Sequence, residues 1–255
     1  MNIQELHYSF NLKADKIDSL NVDSFNDVER DWLINYAIDV FVKQRYGVTN
    51  NKQYGFEAIS KRRDDLRSLH QKEFEITPSL LKADLYEAPL NTIINPKTAA
   101  TAKDYWFCTR LRADITKGTC TKNVEVHETQ TDDLNSGLKY NFYKPSFKWG
   151  RVLATFNDDT FSNVNPNDIL GSVFLHTDGF TVDKVYIDYV KAPSKVWAGT
   201  YTSLDGSLVS GGTPVQCDLP DHTHEELTTL AANLAQGLIS DPNYQSLRQQ
   251  YLEIE

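Results

Sequence analysis

The side chains best suited to chemistry in this sequence crowd into residues 217–226, which read Cys-Asp-Leu-Pro-Asp-His-Thr-His-Glu-Glu. Imidazole, thiolate and carboxylate groups are the ligands that zinc prefers, so His222 and His224 are candidates for a metal site. Their spacing matches no standard zinc site, and no second ligand pair with recognisable spacing stands elsewhere in the sequence. The same stretch fits the start of a helix, with Thr223 and Glu226 as a capping box. We therefore expect a capped helix, no metal and no cofactor.

The sequence lacks the motifs of several common enzyme classes. No Gly-Lys dipeptide occurs, which excludes a P-loop, and neither a G-x-S-x-G elbow nor an H-E-x-x-H motif is present. Three cysteines are too few for a disulfide framework and predict free thiols in a reducing compartment. We expect no catalytic residue and no enzymatic activity. A hydrolase with two carboxylates that converge in a cleft is the enzyme hypothesis left open.

A dense run of charge at residues 61–67 falls within a predicted helix. Its charged members are Lys61, Arg62, Arg63, Asp64, Asp65 and Arg67. Opposite charges at spacing i,i+4, such as Lys61 and Asp65, stabilise an exposed helix face, which is one interpretation. The other two interpretations are contact with an acidic partner surface and pairing across a subunit boundary.

Charge is divided unevenly along the chain, whose 255 residues carry a net charge of −9. Residues 1–149 hold 21 basic and 21 acidic side chains, whereas residues 150–255 hold 5 basic and 14 acidic ones. Nucleic-acid backbones are bound by clustered Lys and Arg, so the acidic part argues against such binding. It fits either a solvated face or a surface that repels nucleic acid.

Helical periodicity marks the first quarter of the chain. Apolar residues recur three or four positions apart over residues 1–17, which predicts a first helix. A second helix is predicted to begin at Ser24, with Asp27 completing a capping box, and to end at Gly47. A third helix is predicted within residues 54–77.

Residues 78–215 change character, with seven prolines and short runs of alternating apolar and polar residues. This pattern predicts strands at residues 105–111, 123–127, 148–156, 182–190 and 195–202. A turn at Lys117 and Gly118 joins the first two strands. With that turn, Cys108 does not lie opposite Cys120, so we predict no disulfide between them.

Helix returns at the C-terminal end, over residues 227–238 and in a short last helix beyond Ser240. The terminal helices should pack on the N-terminal ones, because neither set buries both of its faces alone. The predicted fold class is α+β, a helical bundle from the N- and C-terminal segments with an inserted antiparallel β-sandwich-like domain. The helical domain comprises residues 1–74 and 217–255, and the insertion comprises residues 75–216. No run is apolar enough to span a membrane.

Three parts of the sequence, taken in order, resemble virion structural proteins of crAss-like phages. They are similar in particular to the ring or connector proteins stacked between portal and tail. The resemblance depends on order and spacing and covers roughly residues 1–90 and 185–255. The stretches that carry it are residues 32–37 (WLINYA), 41–46 (FVKQRY), 56–57 (FE), 61–69 (KRRDDLRSL), 189–193 (YVKAP), 217–227 (CDLPDHTHEEL) and 239–244 (ISDPNY).

The resemblance implies a non-enzymatic subunit of a homo-oligomeric ring, often twelve-fold, in the virion at the head-to-tail junction. Its implied partners are further copies of itself, the portal protein, adjacent tail proteins and viral DNA that passes through the lumen without specific binding. Assembly would take place in the cytoplasm of the host bacterium. Because a ring contact joins two different faces of adjacent subunits, we predict that the run at residues 61–67 meets an acidic C-terminal surface that includes Glu225 and Glu226.

The aromatic residues of the β-rich region support an alternative. Exposed Trp106, Trp149 and Trp197 would suit a carbohydrate-binding or adhesion module of a phage tail. Aromatic side chains can also stack on nucleic-acid bases. In strands, however, core or interface packing is the more common role of such residues, which here are Tyr105, Trp106, Phe107, Phe142, Tyr143, Phe147 and Trp149.

Overall fold

The computed structural model describes residues 1–14, 25–47, 60–90, 105–157, 171–199, 201–202, 208–209 and 213–238. Within these residues the chain is a mixed α+β protein with one curled eight-stranded sheet and five α-helices, which confirms the predicted class. The chain divides into two compact units, a helical unit of Met1–Leu69 with Pro193–Glu255 and a β unit of His70–Ala192. The predicted domain limits at residues 75 and 216 stay a prediction.

The helices are α1 (Ile3–Ala14), α2 (Asp27–Tyr46), α3 (Ser60–Leu66), α4 (Leu134–Lys139) and α5 (His224–Leu238). A 3-10 turn at Asp221–Thr223 leads into α5. In the helical unit, α5 packs against both α1 and α2. The buried apolar side chains of these three helices include Ile3, Leu6, Phe10, Leu33, Ile34, Phe41, Leu227, Leu230 and Ala231.

Capping residues set the starts of the first two helices. At α1, the backbone N–H of Asn2 donates to Glu5 at 2.9 Å, and the Glu5 N–H donates to the Asn2 side chain at 2.8 Å, which is a reciprocal capping box. The N-cap of α2 is Asn26, two residues after the predicted cap Ser24, and Asn26 donates its N–H to Glu29 at 2.8 Å. Ser24 lies outside the described residues. Gly47 ends α2 as predicted, with its N–H bonded to the carbonyl of Lys43.

The third helix is much shorter than predicted. The sequence predicted helix within residues 54–77, but α3 covers Ser60–Leu66 and strand β1 covers His70–Ile76. The prediction was therefore wrong for residues 70–76. Residues 54–59 lie outside the described part of the chain.

Strand pairing explains why β1 is not helical. Phe74 packs edge-on against Tyr189 of the neighbouring strand, with ring centroids 6.2 Å apart, and Ile76 is buried. A bulge places Glu73 at a φ of 57°, and the Glu73 N–H donates to the Asp188 side chain at 2.7 Å. These long-range contacts outweigh the local helical preference of a charged segment.

The β unit contains β1 and seven further strands of one sheet. In spatial order the sheet runs β1-β8-β4-β5-β6-β7-β3-β2. The strands beyond β1 are β2 (Ser79–Lys82), β3 (Leu85–Pro89), β4 (Tyr105–Lys117), β5 (Cys120–Glu128), β6 (Val152–Asn157), β7 (Ser172–His176) and β8 (Thr181–Lys191). Two short strands of the helical unit, β9 (Tyr201–Thr202) and β10 (Leu208–Val209), pair with each other.

Pairing in the large sheet is antiparallel except between β5 and β6. That parallel pair departs from the predicted antiparallel arrangement, because the chain crosses over through residues 129–151, which include α4, before it enters β6. The alternating inward residues of the strands form one hydrophobic core. It includes Leu111, Ile115, Val126, Val152, Leu175, Val185 and Ile187.

The β4–β5 turn and the segments near the C-terminal end were also predicted from the sequence. The turn at Lys117 and Gly118 joins β4 to β5, and Cys120 pairs with Lys117 rather than with Cys108, as predicted. The predicted strand at residues 195–202 is limited to a bridge between Trp197 and Val215 and to β9. The predicted last helix beyond residue 240 lies outside the described residues. Among the described helices, none is long and apolar enough to cross a membrane.

Candidate functional site

The charge run of residues 61–67 occupies α3 and the turn after it, and its members differ sharply in exposure. Arg62 and Asp65 are buried, with 4% and 1% of their surface exposed. The exposed members are Lys61, Arg63, Asp64 and Arg67. A contact of this run with a neighbouring subunit would use the exposed four residues, and that contact stays a prediction.

Asp65 lies at the centre of an ion-pair cluster inside the helical unit. Its Oδ2 accepts a hydrogen bond from Nε of Arg45 at 3.0 Å, and its Oδ1 lies 3.0 Å from Nε2 of His222. The side chains of Asp65 and Arg45 are both almost fully buried. A buried carboxylate is costly unless it is paired, so the arginine compensates for the burial of Asp65.

Glu226 extends this cluster toward the surface. Its Oε2 accepts a hydrogen bond from Nη2 of Arg45 at 2.7 Å, and its Oε1 accepts one from Nζ of Lys61 at 2.9 Å. Burial raises the pKa of Glu226, but Lys61 and Arg45 outweigh that effect and hold the pKa below its usual value of 4.5. Lys61 and Glu226, two of the predicted contact residues, therefore meet within one subunit.

Glu225 pairs with the first helix instead. Nζ of Lys13, near the end of α1, donates to Oε2 of Glu225 and to Oγ1 of Thr228, both at 2.6 Å. At the other end of α1, the ammonium of Met1 donates to Asp221 at 2.7 Å, and this hydrogen bond lowers the pKa of Asp221. Both ends of α1 are thus tied to the C-terminal helical region.

The histidines at residues 222 and 224 have partners within the protein. His222 faces Asp65, and Nε2 of the buried His224 lies 3.0 Å from the carbonyl oxygen of Leu219. Burial lowers the pKa of His224. Within the described residues, no group of three or more His, Cys, Asp or Glu side chains is arranged to hold a metal ion.

The predicted capping box at the start of α5 is not the arrangement found. The Thr223 hydroxyl donates to the carbonyl of Pro220 at 2.8 Å, and Glu226 turns away to Arg45 and Lys61. The long-range ion pairs take the carboxylate that a capping box would need.

The cysteines are all free. Burial, followed by the charge of Glu128, raises the pKa of Cys108 to about 12. Burial also raises the pKa of Cys217 to about 11. The thiolate is the nucleophilic form of cysteine, so both groups are unreactive thiols at neutral pH.

The aromatic residues of the β-rich region fall into two groups. Tyr105, Trp106 and Phe107 of β4 are partly buried, and Trp106 stacks on Phe107 with ring centroids 4.9 Å apart. In the crossover between β5 and β6, Phe142, Tyr143 and Trp149 face solvent, whereas Phe147 packs against the hydrophobic core of the β unit. Core packing is thus the role of Phe147 but not of Phe142, Tyr143 and Trp149, and the sequence did not distinguish them.

Two partners in the ion-pair cluster were also missed. Arg45 fits the basic last turn of a helix, and His222 fits a metal ligand, so neither pattern indicates an ion pair with Asp65. The partners lie far apart in the chain, with 181 positions between Arg45 and Glu226. A local sequence pattern carries no signal for such pairs.

Comparison with known proteins finds no match, either to a protein-family model or to a curated protein. A functional proposal for this chain therefore depends on its sequence resemblance and on the surfaces that the fold presents.

Proposed function

We propose that this chain is a non-enzymatic virion structural protein, a subunit of a homo-oligomeric ring between the portal and the tail of a podovirus-like phage related to the crAss-like phages. In this proposal the helical segments from both chain ends form a bundle that carries the ring contacts. The β unit is a sandwich-like insertion that reaches neighbouring rings or subunits. The ring is twelve-fold, and viral DNA passes through its lumen.

The observation that carries this proposal is a pair of apolar rows on the outer faces of two helices. On α1, Tyr8 is 71% exposed, and Leu12, one turn later, is also exposed. On α2, Trp32 is 58% exposed and stacks on the exposed Tyr36, with ring centroids 5.7 Å apart and an interplanar angle of 12°.

These rows are not needed for the core of the subunit. A helix on the surface of a globular protein normally buries one apolar face and presents polar residues on the opposite face. Here α1 and α2 already bury such a face, with Leu6, Phe10 and Phe41 among its fully buried side chains. Additional apolar rows on the outside are typical of surfaces that another protein covers.

A ring supplies the required partner from a second copy of the same chain. Adjacent subunits in a ring meet through two different faces, so an apolar row on one face can pack against a different surface of its neighbour. The exposed charges Arg63, Asp64, Arg67 and Glu225 would suit the polar rim of that contact. Arg62 is excluded from such a contact because it is buried.

The test is assembly of phage particles that carry Trp32→Ala together with Tyr36→Ala. The proposal expects heads without attached tails in electron micrographs, because the ring would fail to close. Trp149→Ala together with Phe142→Ala is the matched control, since it also removes two exposed aromatics but from the crossover of the β unit, to which this proposal assigns no contact that closes the ring. An equal fraction of tailed particles for the two double variants would contradict the proposal.

A second candidate function is the carbohydrate-binding or adhesion module, which one observation favours. Trp149 presents its ring to solvent, as the side chain of a sugar-binding platform would. The other two candidates fit less well, because both are half-buried: Trp106 is stacked on Phe107, and Trp197 lies in a segment that pairs through its backbone with Val215. Tight binding of the full chain on a glycan array, abolished by Trp149→Ala, would favour this function over the ring.

A further inference from the structure

The crossover from β5 to β6 contains a segment of distinctive composition. Residues 139–151 read Lys-Tyr-Asn-Phe-Tyr-Lys-Pro-Ser-Phe-Lys-Trp-Gly-Arg, with four basic residues, five aromatic residues and no acidic one. This local charge is opposite to the net acidity of the chain. Alternation of basic and aromatic residues is typical of proteins that bind single-stranded nucleic acid.

Most of these aromatic rings lie on the surface. Phe142 is 88% exposed and Trp149 is 76% exposed, and Tyr140 and Tyr143 also face solvent. Of these, Phe142 and Trp149 are the most exposed large apolar side chains among the described residues. These two rings therefore contribute little to the hydrophobic core of the β unit, and their faces are open to a planar ligand.

A cationic pocket lies beside the rings. It has a volume of about 410 Å³ and is lined by Lys117, Lys122, Ser146, Phe147, Lys148 and Asp178. The carboxylate of Asp178 lies 3.4 Å from Nζ of Lys144, so this negative charge is offset by a fourth lysine. The pocket therefore keeps a positive charge that can receive an anionic group.

The fold holds this pocket in place through three chain segments. Lys117 comes from the β4–β5 turn, and Asp178 comes from the β7–β8 turn. The ring of Phe147 lies 6.2 Å from that of Phe180, which fixes the crossover against the second turn. Nζ of Lys122 donates to the carbonyl of Phe147 at 3.3 Å and lies 4.8 Å from the centre of its ring.

Each pair of a cation and an adjacent ring can bind two parts of one nucleotide, the phosphate and the base. Nζ of Lys148 lies 5.2 Å from the Trp149 ring centre, and the Arg151 guanidinium lies 5.8 Å from that of Tyr143. Lysine and arginine contact phosphates, and aromatic faces stack on bases of any sequence. A duplex keeps its bases stacked on one another, so these rings favour a single strand.

We propose that the surface formed by residues 139–151 with Lys117 and Lys122 binds single-stranded nucleic acid without sequence preference. Phosphates contact Lys117 and Lys148 at the pocket, and a base stacks on Trp149. This inference does not depend on ring formation, because it concerns the β unit of a single chain. Neutral sugars would not need the lysines, and an acidic peptide would not need the open rings.

The first test measures binding of the full chain to a fluorescein-labelled oligothymidylate by fluorescence anisotropy over a series of salt concentrations. The wild type should bind at low salt and lose affinity as salt rises. For Lys117→Gln with Lys148→Gln, the plot of log K against log salt should become shallower. Its negative slope should decrease in magnitude by roughly 1.4, since each phosphate contact on a single strand contributes about −0.7. The control, Lys72→Gln with Lys195→Gln, changes net charge equally at exposed positions outside the surface and should leave the slope unchanged.

The second test concerns stacking. Trp149→Ala should weaken binding by at least about fivefold, the lower end of the effect of losing one stacked base. Trp149→Phe retains an aromatic face and should keep most of the affinity, and Trp32→Ala removes an exposed tryptophan of the helical unit without effect. Absence of wild-type binding at low salt would overturn the inference. Equal binding by Trp149→Ala and Trp32→Ala, or binding of neutral oligosaccharides instead of the oligonucleotide, would overturn it as well.

Discussion

Asp65 shows how a single residue ties the helical unit together. Its carboxylate is removed from solvent and pairs with Arg45 on α2, while His222 approaches it from the 3-10 turn before α5. Arg45 in turn reaches Glu226 and lies 4.7 Å from the ring centre of Phe41. The arginine therefore links three helices, and removal of its charge would leave Asp65 buried without its strongest partner.

Arg45→Met is expected to lower the free energy of unfolding by about 3–5 kcal/mol, the usual result of leaving one member of a buried ion pair alone. Arg63→Met makes the same chemical change at a 59% exposed side chain and should cost no more than about 0.5 kcal/mol. Urea denaturation of both variants measures the difference. Equal losses would contradict the structural role of the cluster.

Glu226 gives the cluster a pH dependence. Because Lys61 and Arg45 lower the folded-state pKa of Glu226 below 4.5 in spite of its burial, the ionised carboxylate stabilises the fold above pH 4.5. This stabilisation is lost as the pH falls through the folded-state value. The difference in free energy of unfolding between wild type and Glu226→Gln should be constant near neutral pH and shrink below pH 4.5.

The control for this pH profile is Glu125→Gln, which removes a carboxylate that is exposed on β5 and only loosely approached by Arg110 at 3.8 Å. Its free energy of unfolding should follow that of the wild type across the same pH range. A Glu226→Gln difference that persists unchanged at acidic pH would show that the charge of Glu226 is not what stabilises the fold.

The sequence indicated some residues of this cluster but neither their arrangement nor the part that Arg45 and His222 play in it. It named Lys61, Asp65 and Glu226 because charge runs and cap positions are local patterns. The prediction placed Glu226 opposite the charge run of a neighbouring subunit. In the structure, Lys61 and Arg45 of the same chain contact Glu226. Such pairs arise when α2, α3 and α5 come together, and no spacing in the sequence encodes that approach.

At the scale of secondary-structure elements, two glycines set the turns beside the cationic pocket. Gly118, in the β4–β5 turn, and Gly150, before β6, have φ values of 64° and 59°, which side chains rarely adopt. A Cβ on Gly118 would meet no atom within 4 Å, but one on Gly150 would lie 3.0 Å from Cγ1 of Val124. Replacement by alanine therefore causes backbone strain alone at Gly118 and both strain and a steric clash at Gly150.

Gly118→Ala is expected to lower the free energy of unfolding by about 1–2 kcal/mol, the usual cost of the left-handed conformation for a residue with a side chain. Gly150→Ala should cost more, because Val124 of β5 must also shift. Chemical denaturation of the two variants makes the comparison. A smaller loss for Gly150→Ala than for Gly118→Ala would contradict this account of the crossover.

The elements that could be predicted are those whose residues bury one regular face. The spacing of Ile3, Leu6 and Phe10 indicated α1, and the β-branched run in β8 indicated a strand. Strand β1 could not be predicted, because its charged residues favour helix locally and only pairing with β8 makes it a strand. The parallel pairing of β5 and β6 depends on the path of the crossover, which the local periodicity of the sequence does not predict.

At the scale of the whole molecule, each unit presents a surface that its own core does not need. The helical unit exposes apolar rows on α1 and α2, which we assign to subunit contacts. The β unit exposes aromatic rings among lysines, which we assign to single-stranded nucleic acid. The two assignments fail separately, since Trp32 variants test only the first and Trp149 variants test only the second.

The uneven charge along the sequence does not correspond to the charge that each unit presents at these two surfaces. The C-terminal region is acidic in sequence, but Glu225 and Glu226 are paired with Lys13, Lys61 and Arg45 inside the helical unit. The basic residues of the crossover lie in the net-neutral first part of the chain or just beyond it. Net charge alone therefore describes neither surface.

Electron microscopy of intact virions that contain this chain tests the ring proposal most directly. We expect density for a closed ring of this fold directly between the portal and the tail, with Tyr8, Leu12, Trp32 and Tyr36 at the boundaries between copies. Location of the chain on the capsid exterior or in tail fibres, or in a form that does not close into a ring, would contradict it.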